Sequence, residues 1–171
     1  TSAARKQASE PDVRVVDSHD AFVIGDIEIQ PFPVPHDARE PVQYLFDDGV
    51  SRLGVLTDCG TITPHIVDML DGCDALVLEC NHDRKMLADS AYPAMLKRRI
   101  AGGFGHLDNE QAASLLRTIN SGRLKHIVAA HLSEQNNDPG LVKRVVAEAL
   151  GCEARWVAVA SQEEGFDWRE L

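Results

Sequence analysis

From residue 58 onward the sequence alternates between two hydrophobic patterns, and this alternation limits the possible folds more than any other feature. Apolar runs of strand length occupy residues 74–80, 126–132 and 154–160. Between them, apolar residues recur every three or four positions, the spacing of a helix with one buried face. Continuous apolar strands separated by amphipathic helices are typical of a parallel sheet covered by helices. The sequence therefore predicts an α/β layered domain.

The predicted helices carry their own start and stop signals, which are capping residues, prolines and glycines. The start signals are Thr63-Pro64, Pro93, Asp108 and Asp138-Pro139, and the stop signals are Gly122 and Gly151. In the helix that follows Asp108, apolar residues at positions 112, 115, 116 and 119 share one face. These signals predict short helices packed against the strands.

The first third of the chain has the alternation of β-strands. Residues 13–16, 21–34 and 41–46 are predicted strands, and the turn Asp47-Asp48-Gly49 joins the last of them to a strand over residues 51–58 as a β-hairpin. The first twelve residues have no apolar periodicity. We therefore expect a flexible arm over residues 1–12, followed by one domain over residues 13–171.

The composition excludes several classes of protein. With 44% hydrophobic and 26% charged residues, disorder, collagen and coiled coil are ruled out. No apolar run approaches the ~20 residues that span a bilayer. The net charge of −10 argues against nucleic-acid binding through a generally positive surface. The four cysteines form no C-x-x-C pair, so we expect free thiols in the cytoplasm and no membrane association.

Three polar residues stand where predicted strands end, namely His36, Asp58 and His131. Strand ends that face loops are where α/β folds build binding sites. Imidazole and carboxylate without thiolate form the ligand set of a hydrolytic zinc, manganese or iron site. The alternative is that each residue caps its strand by hydrogen bonding. Three ligands are too few for a two-metal site, so further ligands are expected elsewhere.

A second group of residues is suited to phosphoester chemistry. Glu79 ends an apolar strand and precedes His82, and His106 lies between a glycine-rich turn and a predicted helix. The helix start offers N–H groups to an anion, and a histidine paired with a carboxylate can protonate a leaving oxygen. The alternative is a flexible turn with a surface histidine. The remaining histidines, His19, His65 and His126, are expected to be loop or helix-face residues.

The loop after His131 is rich in hydrogen-bonding side chains. Ser133, Asn136 and Asn137 are candidates for the lining of a polar substrate pocket. A basic cluster at Lys97-Arg98-Arg99 is either a solvated helix face or a local patch that faces phosphate.

The order of five segments resembles a known family. FPVPHDA, GVLTDCG, LECNHD, GHLDNEQAA and AAHLSEQNN look like the later part of a metallo-β-lactamase-fold hydrolase over residues 22–168. The sequence is most similar to the YycJ/WalJ type and more distantly similar to PhnP phosphodiesterases and ribonuclease Z. The resemblance implies an αβ/βα sandwich, of which this chain holds the second half and the closing strands of the first.

The resemblance also implies a site and an activity. His36, Asp58 and His131 match metal ligands of that family, with Asp58 bridging two zinc or manganese ions. Glu79 and His106 match a pair that assists protonation of the leaving group, and His82 joins Ser133 and the two asparagines as a substrate-binding candidate. The implied function is a dinuclear metal-dependent phosphodiesterase, as a 5′ to 3′ exonuclease on DNA or RNA.

The sequence departs from the family in one large respect. It contains no H-x-H-x-D-H segment, which in the family supplies most of the metal ligands. The sequence therefore looks like the C-terminal two thirds of a longer protein, and alone it is expected to bind metal weakly, to be a poor catalyst and to form a homodimer. Two alternatives stay open, a PhnP-like phosphodiesterase acting on a small cyclic substrate and a non-catalytic folded fragment or interaction module.

Overall fold

The computed structural model of the protein describes residue 13 and residues 15–171. Within them, seven strands form one sheet in chain order. The strands are β1 (Phe22–Ile24), β2 (Ile27–Pro33), β3 (Val42–Asp47), β4 (Arg52–Leu56), β5 (Ala75–Glu79), β6 (His126–Ala130) and β7 (Ala158–Val159). The predicted arm over residues 1–12 lies outside the described residues.

The sheet has an antiparallel part and a parallel part. Strands β1 to β4 pair antiparallel, while β4, β5, β6 and β7 run parallel. The predicted hairpin between β3 and β4 is confirmed, with Gly49 at φ 86° and the Asp47 carboxylate accepting a hydrogen bond from the Gly49 N–H at 2.7 Å. Antiparallel neighbours need only a turn, whereas each parallel pair needs a crossover long enough for a helix.

In the described part of the chain, five α-helices and one 3₁₀ helix connect the strands. They are α1 (Pro64–Leu70), α2 (Arg84–Asp89), α3 (Ala94–Ile100), α4 (Asn109–Thr118), α5 (Pro139–Leu150) and the 3₁₀ helix Ala154–Trp156. The predicted caps are confirmed, because Thr63, Asp108 and Asp138 each accept a hydrogen bond from a first-turn N–H. Gly151 ends α5 at φ 64°, a conformation that favours glycine.

Several element predictions were wrong. The described part of residues 13–16 is not a strand; Val13 and Val15 are exposed, because an alternating pattern does not by itself supply a partner strand. Residues 154–160 form the 3₁₀ helix and the two-residue strand β7 rather than one long strand. Helix α4 ends before Gly122, where the Asp71 carboxylate accepts from the Asn120 N–H and turns the chain. Helix α2 was not predicted.

The hydrophobic core lies between one face of the sheet and helices α1, α4 and α5. In β5, Leu76 and Leu78 belong to this core. Ala75 and Val77 point to the other face of the sheet and line a cavity of about 360 Å³ with residues near the end of the chain, including Trp168. The α/β prediction is therefore confirmed, and the carboxyl ends of β4, β5 and β6 are brought to a single edge. Within the described residues, no helix is both long enough and apolar enough to span a membrane.

Candidate metal centre

The predicted strand-end residues meet at the carboxyl edge of the parallel strands. Leu56 of β4 pairs with Leu78 of β5, and Glu79 pairs with Ala130 of β6. This register brings three neighbouring residues together, with Asp58 two residues past β4, Glu79 at the last position of β5 and His131 directly after β6. Parallel strands bring their carboxyl ends to the same edge, where α/β folds place ligands.

A cluster of four residues defines the candidate centre. Asp58, Glu79, His106 and His131 each offer one ligand atom within 4.8 Å of the others, and they are called the four-residue cluster below. The Oδ1 atom of Asp58 lies 3.8 Å from Nδ1 of His106 and 3.8 Å from Nδ1 of His131. His36 also approaches it, with Nε2 at 3.7 Å from the same oxygen. The Asp58 carboxylate is thus central to three histidines.

Each of these histidines is anchored through its Nδ1 atom. His36 donates to the Gly105 carbonyl at 3.0 Å, while His106 and His131 contact Oε1 of Glu79 at 2.8 and 2.7 Å. Metal-ligating histidines usually donate one ring N–H to a carbonyl or carboxylate, which fixes the ring and leaves the other nitrogen for the metal. This arrangement is therefore that of three oriented imidazoles around one carboxylate.

Glu79 is fully buried beneath the histidines. Besides the two imidazoles, its Oε2 atom accepts hydrogen bonds from the Cys59 N–H at 3.0 Å and the Leu107 N–H at 3.1 Å. Burial alone would raise the pKa of Glu79, but the hydrogen bonds from His106, His131 and Cys59 outweigh it and hold the pKa at about 2. Glu79 is consequently ionised and orients both histidines, whereas the sequence paired it with His106 alone.

The charge of Glu79 also affects its neighbour His131. The hydrogen bond to Glu79 raises the pKa of His131 above its ordinary value, against the opposing effect of burial, and the Asp58 carboxylate adds to the rise. A nearby negative charge makes an imidazole more basic and a better ligand for a cation. His131 therefore lies where a proton or a metal cation is stabilised.

The backbone at two cluster positions has an unusual conformation. Asp58 has φ 49° and His131 has φ 56°, and among the described residues they are the only ones other than glycine with positive φ. Such conformations cost of order 1–3 kcal/mol and concentrate at functional sites. The sequence predicts both residues as candidate metal ligands because they lie at strand ends, but no sequence pattern indicates that their φ angles are positive.

A glycine-rich interface holds the loops of the site together. A Cβ atom at Gly60 would lie 2.5 Å from the backbone of Gly103, and one at Gly105 would lie 2.2 Å from the Arg99 carbonyl. Glycine at position 60 allows the loop after Asp58 to approach the loop before His106, and glycine at position 105 allows that second loop to approach the end of α3. These glycines therefore serve backbone packing at the site.

The expected free helix terminus after His106 was wrong. The Asp108 side chain accepts from the Gln111 N–H, and the Gln111 side chain accepts from the Asp108 N–H, so a capping box satisfies the start of α4. The Arg84 Nε atom also donates to Asp108, at 2.5 Å. A carboxylate already occupies the position that a phosphate was expected to take.

The predicted substrate-binding residues lie in two environments. Ser133 lines a cavity of about 320 Å³ together with His106 and His131. Asn136 and Asn137 are buried, and the Asn137 amide group donates to the Cys80 carbonyl at 2.7 Å. Their role in substrate binding remains a prediction.

Residues outside the predicted set also support the centre. Asn81 donates from its side chain to the His131 carbonyl at 2.9 Å, and Asn109 exchanges amide hydrogen bonds with Asn137. Neither residue carries a sequence signal, because each acts through a partner that is distant in the chain. His19, His65 and His126 lie outside the four-residue cluster.

The residues of the basic cluster Lys97-Arg98-Arg99 have different partners. Arg99 donates from Nε to the Asp37 carboxylate at 2.5 Å, which holds the residue beside His36 in place. Lys97 donates to the Ala88 carbonyl at 2.6 Å. Arg99 therefore acts structurally, and Lys97 and Arg98 remain the candidates for a phosphate-facing patch.

Comparison with known proteins gives the family. The family model described as "Beta-lactamase superfamily domain" matches residues 2–131. The chain is 39% identical over 131 residues to exodeoxyribonuclease YycJ of Bacillus anthracis, an alignment that covers 77% of this chain and 50% of the relative. It is 38% identical over 127 residues to exodeoxyribonuclease WalJ of Streptococcus pneumoniae, an alignment that covers 74% of this chain and 47% of the relative. The chain thus spans about half the length of the relatives that it matches.

A solved structure gives the architecture. The metallo-beta-lactamase fold protein YhfI from Bacillus subtilis superposes with a TM-score of 0.66 at 16% identity, covering 90% of this chain and 54% of that one. The predicted metallo-β-lactamase fold is confirmed. The family model matches residues 2–131, which is most of this chain, and the two relatives are 39% and 38% identical to it. This chain therefore belongs to the β-lactamase superfamily.

Proposed function

We propose that the protein is a dinuclear metal-dependent phosphodiesterase that acts on nucleic acid as a 5′ to 3′ exonuclease. The observation that carries this proposal is that His36, His106 and His131 each have a ring nitrogen within 3.8 Å of the Asp58 carboxylate. Each ring is hydrogen-bonded through Nδ1. The exodeoxyribonuclease names of the two relatives support nucleic acid as the substrate.

The donor set fits divalent metal ions. Imidazole nitrogen and carboxylate oxygen without thiolate suit Zn²⁺ or Mn²⁺ in a hydrolytic site. We assign His36, Asp58 and His131 as ligands; Asp58, which lies between the histidines, is the residue suited to be shared by two ions. When bound, such ions supply positive charge to the phosphodiester and lower the pKa of a water molecule.

The remaining cluster residues handle a proton. His106 is assigned to protonate the oxygen that leaves the scissile phosphate. Glu79, ionised and 2.8 Å from Nδ1 of His106, stabilises the protonated imidazole and fixes its orientation. Glu79 is therefore a positioning residue. Ser133, which lines the same cavity as His106, is assigned to substrate binding with His82, Asn136 and Asn137.

The 171-residue chain by itself is expected to bind metal weakly and to be a poor catalyst. A two-metal hydrolytic site requires more ligands than the residues assigned here. The proposed activity therefore concerns the full-length protein.

Turnover in the presence of Mn²⁺ or Zn²⁺ tests this proposal. The full-length protein is incubated with single-stranded DNA labelled at either end and, separately, with a cyclic nucleotide. Release of mononucleotides from the 5′ end is the expected result. Cleavage of the cyclic nucleotide alone would identify a small-molecule phosphodiesterase, which the net charge of −10 favours, and no metal-dependent turnover of either substrate would contradict the enzyme assignment.

Two further predictions concern compartment and assembly. The described cysteines are free, and Cys59, Cys73 and Cys80 are buried, which supports the cytoplasm as the compartment. Val23 and Ile24 on β1 are exposed, which supports a homodimer that buries this edge of the sheet. Light scattering that shows a monomer would contradict the homodimer.

A further inference from the structure

A second cavity lies beside the candidate metal centre, and of its lining residues only His82 has a role in the proposed function. It has a volume of about 590 Å³ and lies between α2, α3 and the start of α4. Its lining includes three cationic side chains, Arg84, Lys97 and Arg98. In a chain of net charge −10, such a concentration of positive charge is a local exception. The cavity is called the α3 groove below.

The α3 groove contains a histidine with an unsatisfied nitrogen. His82 lines the groove and is only 1% exposed. Its Nδ1 atom has no hydrogen-bond partner among the described residues. Buried polar side chains are nearly always hydrogen-bonded, so each exception requires an explanation, of which ligand binding is one. His82 is therefore a residue of the groove lining whose buried ring nitrogen lacks a polar partner among the described residues.

The positive charges of the groove are only partly neutralised. Arg84 is paired with Asp108, the acidic residue of the lining. Lys97 contacts a carbonyl oxygen, which carries no net charge. Arg98 forms no ion pair within the described part of the chain. Two of the three cationic side chains therefore lack a carboxylate partner, and the groove is suited to an anion.

The groove adjoins the metal centre through two backbone segments. His82 pairs with Asp108 in a parallel bridge, and the Asn81 N–H donates to the Leu107 carbonyl at 3.0 Å. Glu79 and His106 lie a few residues away on the same two segments. The same two backbone segments therefore contribute both to the cluster and to the lining of the groove.

We propose that the α3 groove binds a backbone phosphate of the nucleic-acid substrate, with Lys97 and Arg98 as its charged contacts and His82 as a hydrogen-bonding contact. This inference rests on the proposed function, since it deepens the recognition of the same substrate. Contacts to phosphate position a strand without reading its sequence. The groove therefore contributes to affinity and to the path of the strand, and the cluster contributes to the reaction.

Binding of DNA without catalysis tests the groove. The full-length protein is titrated into a fluorescein-labelled single-stranded oligonucleotide in EDTA, and anisotropy is followed at several salt concentrations. The double variant Lys97→Ala, Arg98→Ala is compared with Lys143→Ala, Arg144→Ala, which removes the same charge from α5, outside the groove lining. Thermal unfolding of both variants verifies that they fold.

The groove variant is expected to bind DNA about tenfold more weakly at low salt. The salt slope for the single strand should be smaller by about 0.7 for each phosphate that the variant no longer binds. The α5 variant is expected to bind like the wild type. Equal affinities and equal slopes for the two double variants would overturn the proposal. Weaker binding of inorganic phosphate without any change for DNA would also overturn it, because the site would then bind the free ion.

A second measurement separates this proposal from the proposed function. Hydrolysis of bis(p-nitrophenyl) phosphate with Mn²⁺ needs the metal centre but no nucleic-acid strand. If the wild type hydrolyses it and the two double variants bind DNA equally well, the groove assignment alone fails. If the wild type hydrolyses no phosphodiester but the groove variant still binds DNA more weakly, the phosphodiesterase assignment alone fails.

Discussion

The two ends of strand β5 each carry a buried carboxylate, and the two carboxylates have very different partners. At the amino end, Asp74 is 3% exposed; it accepts from Arg123 at 2.8 Å and from the Arg52 N–H at 2.9 Å. At the carboxyl end, Glu79 is bound by two imidazoles and two backbone N–H groups.

This difference separates a carboxylate with a permanently charged partner from one whose partners are titratable imidazoles. The charge of Asp74 is matched by Arg123, which carries its own positive charge at every physiological pH. The charge of Glu79 faces His106 and His131, which become positive only by binding a proton and can use their second nitrogen for a metal. The partners of Glu79 are therefore groups that can carry either a proton or a metal cation, whereas the partner of Asp74 carries a permanent charge.

The backbone differs in the same way between the two ends. Before β5, the position with positive φ is Gly72, at 68°, where the residue has no side chain to strain. After β4 and β6, the corresponding conformations belong to Asp58 and His131. Aspartate and histidine adopt positive φ more readily than most residues but less readily than glycine, and these two lie in the candidate metal centre.

The largest expected effect comes from Asp58→Asn in the full-length protein. Asparagine tolerates positive φ, so the backbone is retained while the charge at the centre of the histidines is removed. We expect metal-dependent turnover to fall by roughly 10³-fold or more, measured with a phosphodiester substrate. Asp74→Asn is the matched control and should retain turnover. Equal activities would remove the distinction between the two ends.

Glu79→Gln is expected to lower metal affinity by about 10–100-fold, since outer partners of metal-binding histidines have effects of this size. Glutamine keeps the shape of the side chain but replaces one carboxylate oxygen with an NH₂ group. It can therefore accept either from the two imidazoles or from the two backbone N–H groups, but not from all four. Competition with a chelator measures the affinity. An affinity within a factor of about two of the wild type would mean that Glu79 does not orient the ligands.

Asp74→Asn is expected to lower Tm by several degrees without changing metal affinity. The buried Asp74 carboxylate accepts from both the Arg52 N–H and the half-exposed Arg123 side chain, and asparagine has only one oxygen with which to accept these hydrogen bonds. Calorimetry with and without added metal measures the effect. A decrease of metal affinity in this variant would show that the two ends are coupled.

A smaller effect is expected when the Tm of Asp74→Asn and that of the wild type are compared as the pH is lowered. The Arg52 N–H, and then Arg123, lower the pKa of Asp74 from its ordinary 3.8, so its stabilising contribution is present above that value and is lost as pH falls below it. For Glu79 the loss extends from 4.5 down to about 2. Asp74→Asn should therefore lose less stability than the wild type near pH 3, as measured by Tm. Parallel curves would contradict the shift at Asp74.

The sequence predicted those parts of the molecule that depend on local signals. Asp58 and His131 follow apolar runs whose length sets the strand ends, and Asp108 and Gly151 are recognisable helix caps. The sharing of Glu79 between two histidines could not be predicted, because His106 and His131 reach it from positions 27 and 52 residues away. Sequence periodicity contains no information on such distant contacts.

The last strand and the buried His82 show the same limit of prediction from sequence. Residues 154–160 have a continuous apolar pattern, yet only Ala158 and Val159 pair with β6, because Val157 is buried in the core ahead of them. The orphan nitrogen of His82 likewise follows from packing around the segment that ends at Asp108. Burial of a polar atom is a property of the assembled layers rather than of the residue.

The central claim is that the cluster around Asp58 holds divalent metal. Its most direct test is elemental analysis of the purified full-length protein after dialysis, compared with the double variant Asp58→Asn, His131→Ala. We predict about two metal ions per wild-type chain and close to none in the variant, with the fold of both verified by circular dichroism. Equal metal content in the two proteins, or none in the wild type after incubation with Zn²⁺ or Mn²⁺, would contradict the claim.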